Sequence, residues 1–202
     1  MIAIVDYGVG NLFSLSCSLS AIGADVCVTG DEKVLASADG IILPGVGAFC
    51  DAAEKLRSTG LDRAVISEAR KGKKLLGICL GMQMLFDESL ENGVYKGLGL
   101  IPGSVRPISE TIDKNLKIPH IGWNGLNIKQ DCPILKYVKD GDCVYFVHSY
   151  HAVTDEKYVI ADTEYSVPLT AAVANGNVYG CQFHPEKSGE TGLKILKAFC
   201  EL

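Results

Sequence analysis

One stretch, Lys74-Leu75-Leu76-Gly77-Ile78-Cys79-Leu80-Gly81-Met82-Gln83, constrains this chain more than any other. An apolar β-run stops at Cys79, and a helical pattern from Leu80 to Phe86 opens directly after it. A Gly-x-Cys-x-Gly frame between a strand and a helix is the setting of a nucleophile elbow. Glycines on both sides relieve crowding in a sharp turn and leave the sulfur at the carboxyl edge of a sheet. The dipole at the start of the following helix favours negative charge there. Cys79 is therefore a candidate nucleophile, and the chain around it must supply strands on either side.

The preceding residues do so with a β–loop–α rhythm. Met1 to Val5 reads as a strand, Asp6-Tyr7-Gly8-Val9-Gly10-Asn11 as a turn, and Leu12, Leu15, Leu19 and Ile22 as a helix face. The two glycines lack a GxGxxG or Walker frame, so the turn is read as a plain strand–helix connection rather than a phosphate cradle. Asp25 to Thr29 is a second strand, Asp31 an N-cap for a short helix, and Gly40 to Leu43 a third strand. Helices are expected from about Asp51 to Ser58 and from Leu61 to Lys71. Beyond Asn92-Gly93 the rhythm fades and the second half becomes β-rich, with a strand from Asp142 that ends in a polar cluster at His148–His151, and strands at Pro168–Ala174 and Val178–Phe183, the last two joined across Asn175-Gly176. The fold class is α/β, expected as one domain over residues 1–202.

Composition removes several classes of function. A net charge of −5 offers no basic face for nucleic acid. No run approaches the roughly 20 apolar residues of a membrane span, and Met1 to Val5 begins a strand rather than a leader, so a cytoplasmic location is expected. The eight cysteines form no Cys-x-x-Cys pair and have no nearby histidine spacing for zinc, so no metal is expected. Most of the other seven sit in apolar runs and are read as reduced, buried, packing thiols.

A thiol nucleophile needs a base, and the base needs an acceptor to orient it. His184 and Glu186 in Gln182-Phe183-His184-Pro185-Glu186 fit these roles, since residues two apart at a strand end point the same way. The glycine-rich loop Pro44-Gly45-Val46-Gly47-Ala48-Phe49 follows a strand, and its Gly45, Val46 and Gly47 amides, with that of Leu80, are candidate oxyanion donors. Trp123 reads as a buried aromatic anchor or a contact residue, and His151 as a structural histidine.

Taken together, Leu43-Pro-Gly-Val-Gly47, Gly77-Ile-Cys-Leu-Gly-Met-Gln83 and Gln182-Phe-His-Pro-Glu-Lys-Ser188 resemble the three signatures of triad-type (class I) glutamine amidotransferases. Within that superfamily Asp6-Tyr-Gly-x-Gly-Asn11, Pro119-His-Ile-Gly-Trp-Asn124 and Tyr145-Phe-Val-His-Ser-Tyr150 are similar to the glutaminase subunits of imidazole glycerol phosphate synthases in histidine biosynthesis. The resemblance implies a flavodoxin-like, three-layer fold with a central, mostly parallel sheet and a β-rich C-terminal half. It implies hydrolysis of glutamine to glutamate and ammonia by Cys79, His184 and Glu186, without a cofactor. It implies a glutamine pocket lined by Gly47, Gln83, His148, Ser149 and Tyr150. It also implies a heterodimer with a cyclase subunit, a (βα)8 barrel, which meets Asn11, Trp123, Tyr145 and Lys187, raises glutaminase turnover, and consumes the ammonia. The glutaminase component of anthranilate or aminodeoxychorismate synthesis is the alternative enzyme, and a thiol sensor or partner-binding domain the non-catalytic one. The Trp123 and His148–Tyr150 stretches speak against the former, the complete Cys–His–Glu set against the latter.

Overall fold

The computed structural model describes all 202 residues. Strand β1 (Ile2–Val5) passes through the Asp6–Asn11 loop into helix α1 (Leu12–Ala21). Strand β2 (Val26–Thr29), helix α2 (Glu32–Ser37) and strand β3 (Gly40–Leu43) follow, with the Asp31 carboxylate accepting the Lys33 N–H at 2.8 Å as the expected cap. Helices α3 (Phe49–Ser58) and α4 (Leu61–Arg70) lead to strand β4 (Lys74–Ile78), and helix α5 (Leu80–Met84) begins after Cys79. The second half holds short strands β5 (Glu88–Ser89), β6 (Tyr95–Lys96) and β7 (Ser104–Pro107), then β8 (His120–Gly125) and β9 (Asn127–Ile128). Strands β10 (Cys143–His148), β11 (Tyr150–Val153), β12 (Val159–Glu164), β13 (Pro168–Asn175) and β14 (Val178–Cys181) precede the final helix α6 (Gly189–Cys200).

Eight strands form the central sheet in the order β2-β1-β3-β4-β14-β13-β12-β9. The first five run parallel and the last three antiparallel. The parallel part has the 2-1-3-4 order of flavodoxin-like sheets, in which ligands sit beyond the carboxyl ends of the strands. Strands buried on both faces read as continuous apolar runs, and the period of two divides their side chains between two cores. Ala3, Val5, Ile41, Leu43 and Leu75 face one core with residues of α2, α3 and α4. Ile2, Ile4, Ile42, Leu76 and Ile78 face the other with Leu15 and Leu19 of α1 and Ile195, Leu196 and Phe199 of α6. The three-layer expectation is met. A two-stranded sheet (β10-β8) and a four-stranded sheet (β11-β7-β5-β6) complete the β-rich half.

Some elements depart from the sequence reading. Helix α3 starts at Phe49, and α5 ends at Met84. Helix α6 went unread because its first turn carries Gly189 and Gly192, poor helix formers that mask the apolar spacing of Ile195, Leu196 and Phe199. Strand β12 went unread because it buries polar residues: Asp162 pairs with Lys129 at 2.8 Å, and the Thr163 hydroxyl donates to Gly125 O at 2.9 Å. All eight cysteines are free, but of the seven outside the elbow only Cys132 and Cys181 are buried. Cys17 and Cys143 are exposed, Cys17 facing outward from α1 between Ser16 and Ser18 and Cys143 opening β10 after Asp142, so the buried reading does not hold for them.

Candidate active site

The elbow is strained where the sequence says it should be. Cys79 holds φ 54 and ψ −112, a conformation that costs a non-glycine residue roughly 1–3 kcal/mol. Its N–H donates to Cys181 O of the neighbouring β14 at 2.8 Å, and its carbonyl accepts the Gln83 N–H at 3.1 Å. Gly81 lets α5 press onto the end of β3, since a Cβ there would overlap the Leu43 carbonyl. The sulfur thus sits at the junction of β3, β4, β14 and α5, beside a cavity of about 310 Å³.

Strand β14 delivers the candidate base, His184. After Cys181 the chain enters a short turn in which His184 Nδ1 lies 2.8 Å from Glu186 Oε1, with both side chains buried. The Ser188 hydroxyl donates to His184 O at 2.6 Å and accepts the Tyr145 N–H at 2.9 Å, while the His184 N–H donates to Tyr145 O at 3.0 Å. Strand β10 and the histidine turn are therefore stitched together. Burial alone would lower the His184 pKa, but hydrogen bonds with Cys79 and Glu186, and their charges, overcome it and raise it to about 9. The second Glu186 oxygen, Oε2, is buried without a partner.

The cavity collects most of the residues named from sequence. Val46, Gly47, Leu80, Gln83, His148, Ser149 and Tyr150 line it with Cys79 and His184. The Val46 and Gly47 amides have no acceptor within the protein, and the Leu80 N–H belongs to the first turn of α5, which leaves its donors unpaired. Gly45 does not line the cavity; it packs against Leu80 and Gly81 instead. The Gln83 amide donates to Tyr150 O at 3.1 Å and to Gln182 Oε1 at 3.0 Å, which turns the Gln182 amide toward Cys79 Sγ at 3.7 Å. His148 Nδ1 donates to Tyr150 O at 2.9 Å, and its Nε2 meets His120 Nδ1 at 3.0 Å. Burial pushes the His148 pKa down to about 3, so this ring is a neutral spacer rather than an acid. His151 does not line the cavity, and burial with the nearby Arg106 charge lowers it to about 4.

Sequence reading gave no role to three residues found here. Glu91 is the one acidic side chain lining the cavity, and its Oε2 accepts the Phe49 N–H at 2.8 Å. It lies beside the Asn92-Gly93 turn, where no local pattern marks it. Gln182 and Ser188 lie within the His184 signature, and their hydrogen bonds tie that segment to Gln83, Cys79 and Tyr145.

Trp123, Tyr145 and Lys187 gather on one surface. Trp123 and Tyr145 are paired across β8 and β10 with ring centroids 6.0 Å apart, and Lys187 Nζ stands 6.0 Å over the Tyr145 ring. Trp123 is 55% exposed, so it is no core anchor, and Ile121 on the same strand is 58% exposed. Asn11 precedes α1, which packs against the Pro185–Lys187 turn.

Comparison with known proteins matches residues 3–201 to the family model of class-I glutamine amidotransferases. The imidazole glycerol phosphate synthase subunit HisH of Caldanaerobacter subterraneus is 50% identical over 203 residues, covering 100% of this chain and 98% of that protein. The subunit of the same name from a Geobacillus species is 51% identical over 205 residues, covering 100% and 97%. Among solved structures, a glutamine amidotransferase superposes with a TM-score of 0.77 at 17% identity over 100% of both chains. The PurLQS structure from Thermotoga maritima also gives 0.77, at 23% identity over 99% of this chain and 97% of that one. At these identities the structural likeness speaks for the fold.

Proposed function

The chain belongs to the class-I glutamine amidotransferases, and from that membership we propose that it is the glutaminase subunit of an imidazole glycerol phosphate synthase. It hydrolyses glutamine to glutamate and ammonia, and passes the ammonia to a cyclase subunit in histidine biosynthesis. The observation that carries the reading is the convergence of Cys79, the His184–Glu186 pair and the unpaired Val46 and Gly47 amides on one cavity. The relatives bearing that subunit's name over the full chain select the pathway.

In the reaction, Cys79 Sγ attacks the side-chain amide carbon of glutamine. The carbonyl electron pair moves onto oxygen, where the Leu80 amide and those of Val46 and Gly47 stabilise it. His184 gives its proton to the nitrogen as the C–N bond breaks, releasing ammonia and leaving a γ-glutamyl thioester. The same histidine then takes a proton from water, whose oxygen displaces the sulfur to give glutamate. Glu186 keeps the imidazole turned toward Cys79 and stabilises its charged form. Glu91 meets the α-ammonium of the substrate, while Gln83 and the His148–Tyr150 segment bound the rest of the pocket. Neutral His148 leaves the ammonia no second acid to protonate it.

The partner is a cyclase with a (βα)8 barrel that docks over Asn11, Trp123, Tyr145 and Lys187. It uses the ammonia to convert a phosphoribosyl-formimino aminoimidazole-carboxamide ribotide into imidazole glycerol phosphate and an aminoimidazole ribotide. No helix of this chain is long and apolar enough to cross a membrane. The test is co-purification with the cyclase followed by glutamine-dependent cyclisation. Cys79→Ala should abolish the use of glutamine yet leave the use of free ammonia. A complex that forms but cyclises with neither nitrogen source, or a variant that still uses glutamine, would overturn the reading.

A further inference from the structure

Two side chains from distant parts of the chain hold the ends of the loop that follows β3. At its start the buried phenol of Tyr7 donates to the Pro44 carbonyl over 2.7 Å. At its end the Phe49 N–H donates to the Glu91 carboxylate over 2.8 Å. Between the two, the amides of Gly45, Val46 and Gly47 have no acceptor in the protein. The Pro44–Gly45 peptide is trans and planar, so its C=O and N–H are opposite edges of one rigid plate, and fixing the carbonyl fixes the amide.

Packing supports the same constraint. A side chain at Gly45 would meet Gly81 N at 2.6 Å and Leu80 Cβ at 2.9 Å, so this plate lies directly against the elbow. On the other side a side chain at Gly10 would meet Pro44 Cβ at 3.0 Å, so the Asp6–Asn11 loop backs onto the proline ring. Past the plate, Gly47 has φ +88 and no neighbour packed where a side chain would stand, so the course of the loop there depends on the anchors at its two ends.

We infer that Tyr7 is a positioning residue for the chemistry at Cys79: its hydroxyl sets the first peptide plane of the loop, and with it the directions from which the Val46 and Gly47 amides face the cavity. The inference rests on the glutaminase reading above. The ring of Tyr7 belongs to the apolar core beside α3 and α5, a role phenylalanine would fill equally; the hydroxyl is what remains to be explained. Burial, and the nearness of Cys79, push the phenol well above its usual range, so it stays a donor wherever the enzyme works. Without it the start of the loop loses its anchor, and the Val46 and Gly47 amides that follow are no longer held toward the cavity as donors.

The experiment is Tyr7→Phe in the full chain, assayed with the cyclase subunit. The expected result is a fall in kcat for glutamine of roughly tenfold, the scale of one lost buried hydrogen bond expressed in the transition state. KM for glutamine should stay within about twofold, because uniform substrate binding is untouched. Alkylation of Cys79 by iodoacetamide, which builds no oxyanion, should keep its wild-type rate. A kcat equal to wild type, a loss carried by KM, or an equal loss in alkylation each overturns the inference. Failure of the glutaminase reading looks different: the wild-type complex itself then releases no glutamate from glutamine.

Discussion

His184 Nδ1 and Glu186 Oε1 stand 2.8 Å apart in a turn that excludes solvent from both side chains. The imidazole, unprotonated above about 6.5 in an open chain, here keeps its proton up to about 9. Glutamine hydrolysis should therefore lose activity as pH rises through about 9, when the acid that protonates the departing amide nitrogen is gone. Glu186→Gln removes one of the stabilising charges, so the high-pH limb of the kcat profile should move down by about 1–3 pH units. The same linkage acts on stability. Because the folded-state pKa is the raised one, the pair's contribution is complete below about pH 6.5 and disappears as pH climbs through about 9, which thermal unfolding across that window would register.

Cys79→Gly separates stability from chemistry. Glycine adopts positive φ without the penalty the cysteine bears, so the variant should unfold about 1–2 kcal/mol less readily while losing all thiol-dependent turnover. Calorimetry on the two proteins decides it, and a destabilised variant would show that φ 54 carries no strain here.

Glu91→Gln should act on binding. It removes the only negative charge lining the cavity but keeps an oxygen for the Phe49 N–H. KM for glutamine should rise about 10- to 100-fold with kcat changed far less, the pattern of lost uniform binding of an ammonium by a carboxylate. A fall confined to kcat would instead assign Glu91 to the loop alone.

Glu68 tests the scaffold away from the site. Its largely buried carboxylate meets Lys71 at 2.7 Å and Lys73 at 2.9 Å, and Lys73 also donates to Leu35 O and Ala36 O. Glu68→Ala leaves the partly buried Lys73 charge without its carboxylate and should cost about 1–3 kcal/mol, whereas Lys71→Ala, at an exposed position, should cost under about 0.5 kcal/mol. Hydrogen bonds from Lys71 and Lys73 hold the Glu68 pKa below the usual carboxylate value of 4.5. That stabilisation is present above about pH 4.5 and is lost on acidification below it, as acid unfolding midpoints of the two proteins should show.

How much of this was legible before the structure depended on where the constraint lay. The elbow was legible because a strand period, two glycines and a helix period all agree within the span Lys74–Phe86. Three-layer packing was legible through the resemblance that the three motifs carry, and the apolar runs of β1 and β3 agree with it. Glu91 was not, because nothing next to it in sequence reveals that Phe49 and the cavity lie beside it in space. Tyr7 was read as part of a turn and of the Asp6–Asn11 motif, with no role for its hydroxyl, since its partner Pro44 is 37 positions away. Trp123 stayed ambiguous between core and surface until β8 placed it at the open face of a two-stranded sheet.

The contact of Gly81 with the Leu43 carbonyl bears on how portable this machinery is. A Cys–His–Glu set grafted onto another flavodoxin-like sheet would reproduce the reactive groups but not the nearness of the helix to two strand ends. Without a residue lacking a side chain at that one contact, the helix must ride higher, carrying the sulfur and the Leu80 amide away from the loop that completes the pocket. Transplantation of the activity therefore has to begin with the glycines and add the reactive residues afterwards.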